Sequence, residues 1–340
     1  MEVFSPLERL QRVLAKKAVD RAPVICPGGM MNSAIVDVMT AHGHLLPSGH
    51  RDEEIMARLA EDVQSDTGFE NFGIPFCMTV EAEALGSEID FGSLECEPKI
   101  AKEVFGSVKT VEYKAKDALI KSPRAGTVFQ AIHRIAAGRP DVPIIGSITG
   151  PLSTAASVVD PMTFLKELRK SKDDAHRFVD YVTDQLIAYA EYMIDNGANA
   201  ISIADPTATG EILGPKMFGD YAVPYINKLV DAIHRSGTPV IVHICGRMQA
   251  VTQHIAALHA DAISVDALVS LRRLQDEYPH ITTMGNLSTY MLEFGDPEKV
   301  QRGTEQLLKD RINILAPACG LSTSTPLKNI QAFTGTAKAE

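Results

Sequence analysis

Apolar residues come in short continuous blocks along this chain, and between the blocks they recur at helical spacing. The blocks are APVICPGG (22–29), FENFGIPFC (69–77), VPIIGSITGP (142–151), ANAISIADP (198–206), TPVIVHICG (238–246), ADAISVDA (260–267), ITTMGNLS (281–288) and INILAPACG (312–320). Most are rich in Val, Ile or other apolar residues, and a Gly, Pro, Asp, Asn or Ser lies at or near each end. Blocks that are apolar throughout, rather than at alternate positions, mark parallel strands covered on both faces. In RDEEIMARLAEDVQSD (51–66) the apolar positions 55, 56, 59, 60 and 63 line one helix face. TVFQAIHRIAAG ends on Gly138 and the stretch 161–197 ends on Gly197, as helix C-termini often do. Further helices are expected at 215–236, 248–259, 268–278, 297–310 and 326–336. Strands alternating with helices in this way predict a (β/α)8 barrel; periodicity does not separate it from a doubly wound open sheet. Residues 86–121 interrupt the rhythm with short alternating stretches, which predicts a small hairpin insertion after the second strand. The first helix, 5–16, is expected to plug the barrel floor, and 1–340 reads as a single elaborated domain.

Composition narrows the class without changing that outline. At 340 residues, 45% hydrophobic and 22% charged, the chain has ordinary globular content, which excludes a disordered or fibrous protein. No apolar run reaches the roughly eighteen residues of a transmembrane helix. The start, MEVFSPLERLQRVLAKK, lacks the apolar core of a signal peptide, so a cytoplasmic location is expected. With Lys+Arg 33 against Asp+Glu 43 the net charge is −10, which argues against a nucleic-acid partner. Five cysteines without dense spacing make no disulfide framework and read as free thiols, some of them available to a metal.

A barrel of this kind builds its active site at the C-terminal ends of its strands. Those positions hold Asp205 after the fourth block, His243 and Cys245 on the fifth, Asp266 on the sixth, Asn286 on the seventh and Cys319 after the eighth. His243 and Cys245 are two apart, so on a strand both point into the mouth. One imidazole, two thiols and two carboxylates are donors suited to Zn²⁺ rather than to Mg²⁺ or Ca²⁺. Spacing alone leaves this set open between a zinc site and a buried histidine with two structural cysteines. Gly28, Gly29, Met30 and Asn32 follow the first strand, where glycines allow a ligand close to the backbone or simply make a turn. Asp205 is either catalytic or a cap on its own Asp-Pro turn. His42, His44 and His50 read as chance histidines in a loop, and Cys26, Cys77 and Cys96 as packing residues. No P-loop, GxGxxG, GxSxG or kinase signature is present.

The segments SPLERLQRVLAKKAVDRAPVICPGGMMN, EAEALGSEIDFG, TPVIVHICGRM and ILAPACGLSTSTP resemble the methylcobamide:coenzyme M methyltransferases of the uroporphyrinogen decarboxylase superfamily of (β/α)8 barrels. The resemblance runs essentially the whole chain, and HxC followed far downstream by Cys is its most specific part. It implies that His243, Cys245 and Cys319 are zinc ligands. It further implies transfer of a methyl group from the methylcobamide of a corrinoid protein to the thiol of coenzyme M, in methanogenesis from methanol or methylamines. True decarboxylases carry an arginine-bearing segment after the first strand to grip substrate carboxylates; CPGGMMN has no arginine there, so decarboxylation is disfavoured. Cobalamin-independent methionine synthases are similar around the metal, which keeps homocysteine open as the acceptor; a purely structural zinc in a binding protein is a further alternative. Asp266 is expected as the fourth zinc ligand before substrate arrives, or as acceptor for the His243 ring N–H.

Overall fold

The apolar blocks form a parallel sheet in the computed structural model, which describes residues 3–139 and 141–339. Along the chain the strands are β1 (Phe72–Ile74), β2 (Glu88–Asp90), β3 (Lys99–Lys102), β4 (Ile144–Thr149), β5 (Ala200–Ala204), β6 (Val240–Ile244), β7 (Ala262–Val265), β8 (Thr283–Leu287) and β9 (Ile314–Pro317). β1 and β4 to β9 pair in sequence order, each neighbour parallel. β4, β5, β6, β7 and β9 are buried at every position, with helices outside and the barrel interior within. That double cover is why the blocks are apolar throughout. β2 and β3 form the expected antiparallel hairpin after β1.

The first block departs from a regular strand. It makes a single parallel bridge, Val24 to Leu315. On that side Ile25 N–H donates to Leu315 O (2.9 Å) and Leu315 N–H to Pro23 O (2.8 Å); on the other, Glu70 N–H donates to Val24 O (2.8 Å). Pro23 and Pro27 have no N–H, so a full ladder cannot run here. The Asn71 side chain replaces it, accepting from Cys26 N–H (2.8 Å) and donating to Cys26 O (2.9 Å). The bridge closes β9 back toward β1. Sequential order with closure is a barrel; a doubly wound sheet would reverse direction at a switch point.

The N-terminal helix Pro6–Leu14 opens on a Ser5–Glu8 capping box and buries Leu10, Val13 and Leu14. Leu7 N–H donates to Asp141 O, just before β4, so this helix covers the N-terminal ends of the strands as expected of a floor. Other helices differ in detail. The stretch 161–197 is two helices, Pro161–Lys170 and Lys172–Asp195, parted at Ser171. The stretch 215–236 begins earlier, as Gly210–Met217, bends where Gly214 takes φ +66 before Pro215, and resumes as Val223–His234. Gly138 remains helical, whereas Gly197 takes the positive φ of a terminator (+117).

Candidate metal centre

His243 is the fourth residue of β6, and parallel register sets it beside Ser264 of β7. It is fully buried. Its Nδ1 lies 2.9 Å from Ser264 Oγ, and Ser264 in turn donates to Met31 Sδ at 3.9 Å. With its proton directed to the thioether, the serine oxygen is placed to accept from Nδ1–H. In that arrangement the Nε2 lone pair is free for another partner. Nε2 is buried and has no protein partner. A buried polar atom without a partner is costly unless something else binds it.

Cys245 follows β6 by one residue and stays on the face of His243; Cys319 follows β9. Their sulfurs are 3.5 Å apart. The donor atoms of His243, Cys245 and Cys319 lie within 4.8 Å of one another, the group of that kind among the described residues. Both thiols are half-buried. The hydrogen bond between them lowers the Cys319 thiol and raises that of Cys245, so the pair tends to share one proton. Two soft sulfurs and an imidazole nitrogen with an unpaired electron pair fit Zn²⁺ with one position left open.

Asp266 stands beside this group. Its Oδ2 is 3.6 Å from Cys245 Sγ and its Oδ1 accepts from Leu268 N–H (2.9 Å). It does not bind the His243 ring: Ser264 holds that place, because parallel register sets Ser264, and not Asp266, opposite His243. Asn286 Nδ2 donates to the carbonyls of Asp266 and Val269, so it braces the loop that carries Asp266.

The remaining expected residues are engaged by the fold. Gly28 (φ +97) abuts the Gly73 backbone, where a Cβ would come within 2.7 Å, and Gly29 (φ +58) abuts Ser147. Their freedom allows these close approaches of the backbone. The Met30 carbonyl presses on Gly320, joining the first rim segment to the Cys319 loop. Asn32 is buried; it accepts from Ala34 N–H and donates to Glu97 at 3.2 Å. Asp205 is completely buried, accepting from Leu152 N–H, Ser153 N–H and Ser153 Oγ–H. Burial raises its carboxyl to about 6. It caps the helix Pro151–Ala156 of the neighbouring loop and also takes a backbone hydrogen bond from Ala208 in its own turn.

Sequence reasoning missed Ser264 and Glu97, and placed Met31 at the mouth without a role. Ser264 was findable: it lies two before Asp266, on the same strand face. Met31 and Glu97 reach the mouth through irregular segments with no period to read. Glu97 keeps solvent contact at the rim, yet surrounding protein holds its carboxyl above the usual range. Of the loop histidines, His42 and His44 pair with Asp62 and Asp66, whereas His50 is buried with both ring nitrogens unpartnered.

The structure is a closed parallel barrel whose mouth brings together a His-x-Cys strand and a returning cysteine. The chain belongs to the uroporphyrinogen decarboxylase (URO-D) family, whose model matches residues 5–340. Within it, the chain is 34% identical to the methylcobamide:CoM methyltransferase MtbA of Methanosarcina acetivorans, over 99% of each chain. It is 31% identical to the methylcobamide:CoM methyltransferase MtaA of Methanosarcina barkeri, over 98% of this chain and 97% of that one. A methyltransferase structure from Methanosarcina mazei superimposes with TM-score 0.92 at 29% identity, covering 98% of both chains. A putative B12-independent methionine synthase from Listeria monocytogenes shares the fold at TM-score 0.58 and 15% identity. No helix among the described residues is long and apolar enough to cross a membrane.

Proposed function

We propose that this protein transfers a methyl group from a protein-borne methylcobamide to the thiol of coenzyme M, with His243, Cys245 and Cys319 holding a zinc ion. The buried, partnerless Nε2 of His243, turned toward two thiols, is the observation that carries this reading. When bound, zinc supplies a Lewis acid that keeps a substrate thiol deprotonated at neutral pH, where a free thiol of pKa about 8.5 is mostly protonated.

The chain's own residues set the character of that site. Ser264 orients the His243 ring through Nδ1, and Nε2 is left without a protein partner. Two thiolates and a neutral imidazole carry a formal charge of −2, which cancels a dication. A substrate thiolate then meets no net positive charge and stays electron-rich; three neutral histidines would leave it beside a dication and weaken it as a nucleophile. The new C–S bond forms as the Co–C bond breaks, and the bonding pair remains on cobalt, taking Co(III) to Co(I). Asp266 Oδ2, next to Cys245, is the carboxylate oxygen available for the open position before the thiol arrives.

Loss of methylcobalamin absorbance, followed with coenzyme M or homocysteine, tests the reading. Turnover with coenzyme M at far lower concentration than with homocysteine supports it. A preference for homocysteine, or no turnover with either, overturns it.

A further inference from the structure

Cys245 follows β6 and Cys319 follows β9, with β7 and β8 between them in the sheet. Their sulfurs nonetheless meet at 3.5 Å across the mouth and share a hydrogen bond. Two sulfurs on one tetrahedral zinc, each at about 2.3 Å from the metal, stand about 3.8 Å apart. Two sulfurs in a disulfide stand about 2.05 Å apart. The pair is therefore near the first spacing and about 1.5 Å from the second.

The local backbone leaves room for that short step. Cys245 lies one residue beyond β6 and precedes Gly246, which takes φ +75; Cys319 lies two residues beyond β9 and precedes Gly320. Both cysteines stand past the ends of their strands, and both thiols are half-buried, so a solute entering the mouth can reach them. The other thiols are placed differently. Cys26 is buried and donates to Met31 O (2.9 Å), and buried Cys77 accepts from Arg124 Nη2 (2.9 Å). Cys96 is exposed in the turn between β2 and β3.

We propose that Cys245 and Cys319 are also a redox switch. In the zinc-free protein they close into a disulfide, with the disulfide of the acceptor thiol as oxidant, and the closed pair excludes zinc until it is reduced. This rests on the zinc site and the acceptor proposed above. A mouth that admits the thiol RSH beside these sulfurs also admits one half of RSSR. One cysteine thiolate attacks a sulfur of RSSR, which forms a mixed disulfide and expels RS⁻. The second cysteine thiolate then attacks the first cysteine's sulfur and expels the other RS⁻. Two electrons pass from the protein sulfurs to RSSR, and the two cysteine protons end on two RSH. The second cysteine is already in place at 3.5 Å, so closure outruns attack by any thiol from solution. A disulfide offers no thiolate to a metal, which leaves His243 as the single intact donor of the three. Bound zinc occupies the sulfur electron pairs that the exchange needs, so the loaded site resists closure. The ratio of acceptor disulfide to acceptor thiol then decides whether an empty site can load.

The test uses the full chain, reduced, freed of zinc by a chelator and kept from oxygen. It is treated with the symmetrical disulfide of coenzyme M and read by intact mass, thiol titration after unfolding, and zinc affinity from chelator competition. Free thiols should fall from five to three with the loss of two hydrogens per chain, and peptide mapping should join Cys245 to Cys319. Zinc affinity should fall about a hundredfold or more and return with dithiothreitol, because thiolates and not disulfide sulfurs bind the metal. Protein loaded with zinc beforehand should lose its thiols about tenfold more slowly or less readily still. Cys96→Ser should behave as wild type, whereas Cys319→Ala should stop at a mixed disulfide between Cys245 and coenzyme M. Retention of all five thiols overturns the switch, as does a bridge through Cys96 or a Cys245–Cys319 bridge that leaves zinc affinity unchanged. In each of those cases zinc uptake by the reduced chain keeps the proposed metal site standing. A reduced chain that takes up no zinc removes the metal site and the switch together.

Discussion

Two sectors of the barrel mouth hold similar chemistry to opposite ends. Around β4 and β5 two carboxylates, Asp205 and Glu81, are fully buried, yet each is satisfied by the fold. Asp205 takes three hydrogen bonds from Leu152 and Ser153, and Glu81 takes the Thr149 N–H and hydroxyl. A Cβ at Gly150 would sit 2.5 Å from that of Asp205, so even the backbone is fitted around it. Burial raises Glu81 to about 7 and Asp205 to about 6, but neither is open to a ligand. Around β6, β7 and β9 the polar atoms are left incomplete: His243 Nε2 has no partner, and Cys245 and Cys319 bond chiefly to each other. A perturbed carboxylate marks burial; an unfinished donor set marks a place for something the chain does not supply.

The sharpest separation of the two sectors comes from Cys319→Ala. It should lower methyl transfer by about three orders of magnitude, equivalent to about 4 kcal/mol of transition-state stabilisation. Its circular dichroism melt should stay near wild type, because a barrel core of this size does not fold on its metal. Wild-type activity in this variant would remove Cys319 from the site.

His50 strains the comparison, since it is an unfinished donor outside the metal group. Burial, helped by the Arg124 charge, lowers its pKa to about 3. The folded protein then keeps it neutral while the unfolded chain protonates it near 6.5, so stability is lost as pH falls from 6.5 toward 3. That loss is on the order of 5 kcal/mol at its limit. His50→Leu should flatten this part of the acid-unfolding curve and retain methyl transfer. If the curve is unchanged but activity disappears, the open nitrogens of His50 serve the reaction instead.

In the satisfied sector, Asp205→Ala strands two backbone N–H groups and a hydroxyl. It should cost about 3 kcal/mol by urea unfolding, with normal activity per folded molecule. A stable but inactive variant would return Asp205 to the chemistry. The smallest effect is expected at Ser264: Ser264→Ala removes the acceptor that orients His243 and should weaken zinc affinity about 10- to 100-fold, measured by chelator competition.

The barrel was legible because strands buried on both faces cannot alternate, so seven of its eight blocks read directly as β1 and β4 to β9. The first block was legible as apolar but not as a bridge, since Pro23 and Pro27 act by removing donors, which periodicity does not register. His243, Cys245 and Cys319 were visible as strand-end residues. What each one touches was not: the choice of Ser264 over Asp266 as partner of His243 depends on register, and the sealing of Asp205 depends on a loop from the adjacent strand. Gly28 and Gly29, open in the sequence between a ligand approach and a plain turn, lie against Gly73 and Ser147.

Zinc-edge X-ray absorption on the purified protein, with and without coenzyme M, tests the central claim most directly. The account predicts one zinc per chain, bound by two sulfurs, one histidine nitrogen and one light-atom ligand at rest. The sulfur count should rise to three when coenzyme M is added, with loss of the light-atom ligand. In Asp266→Ala the resting light-atom ligand becomes water, and the same rise to three should follow. A zinc site that keeps two sulfurs and all its light-atom ligands in the presence of saturating coenzyme M would contradict it.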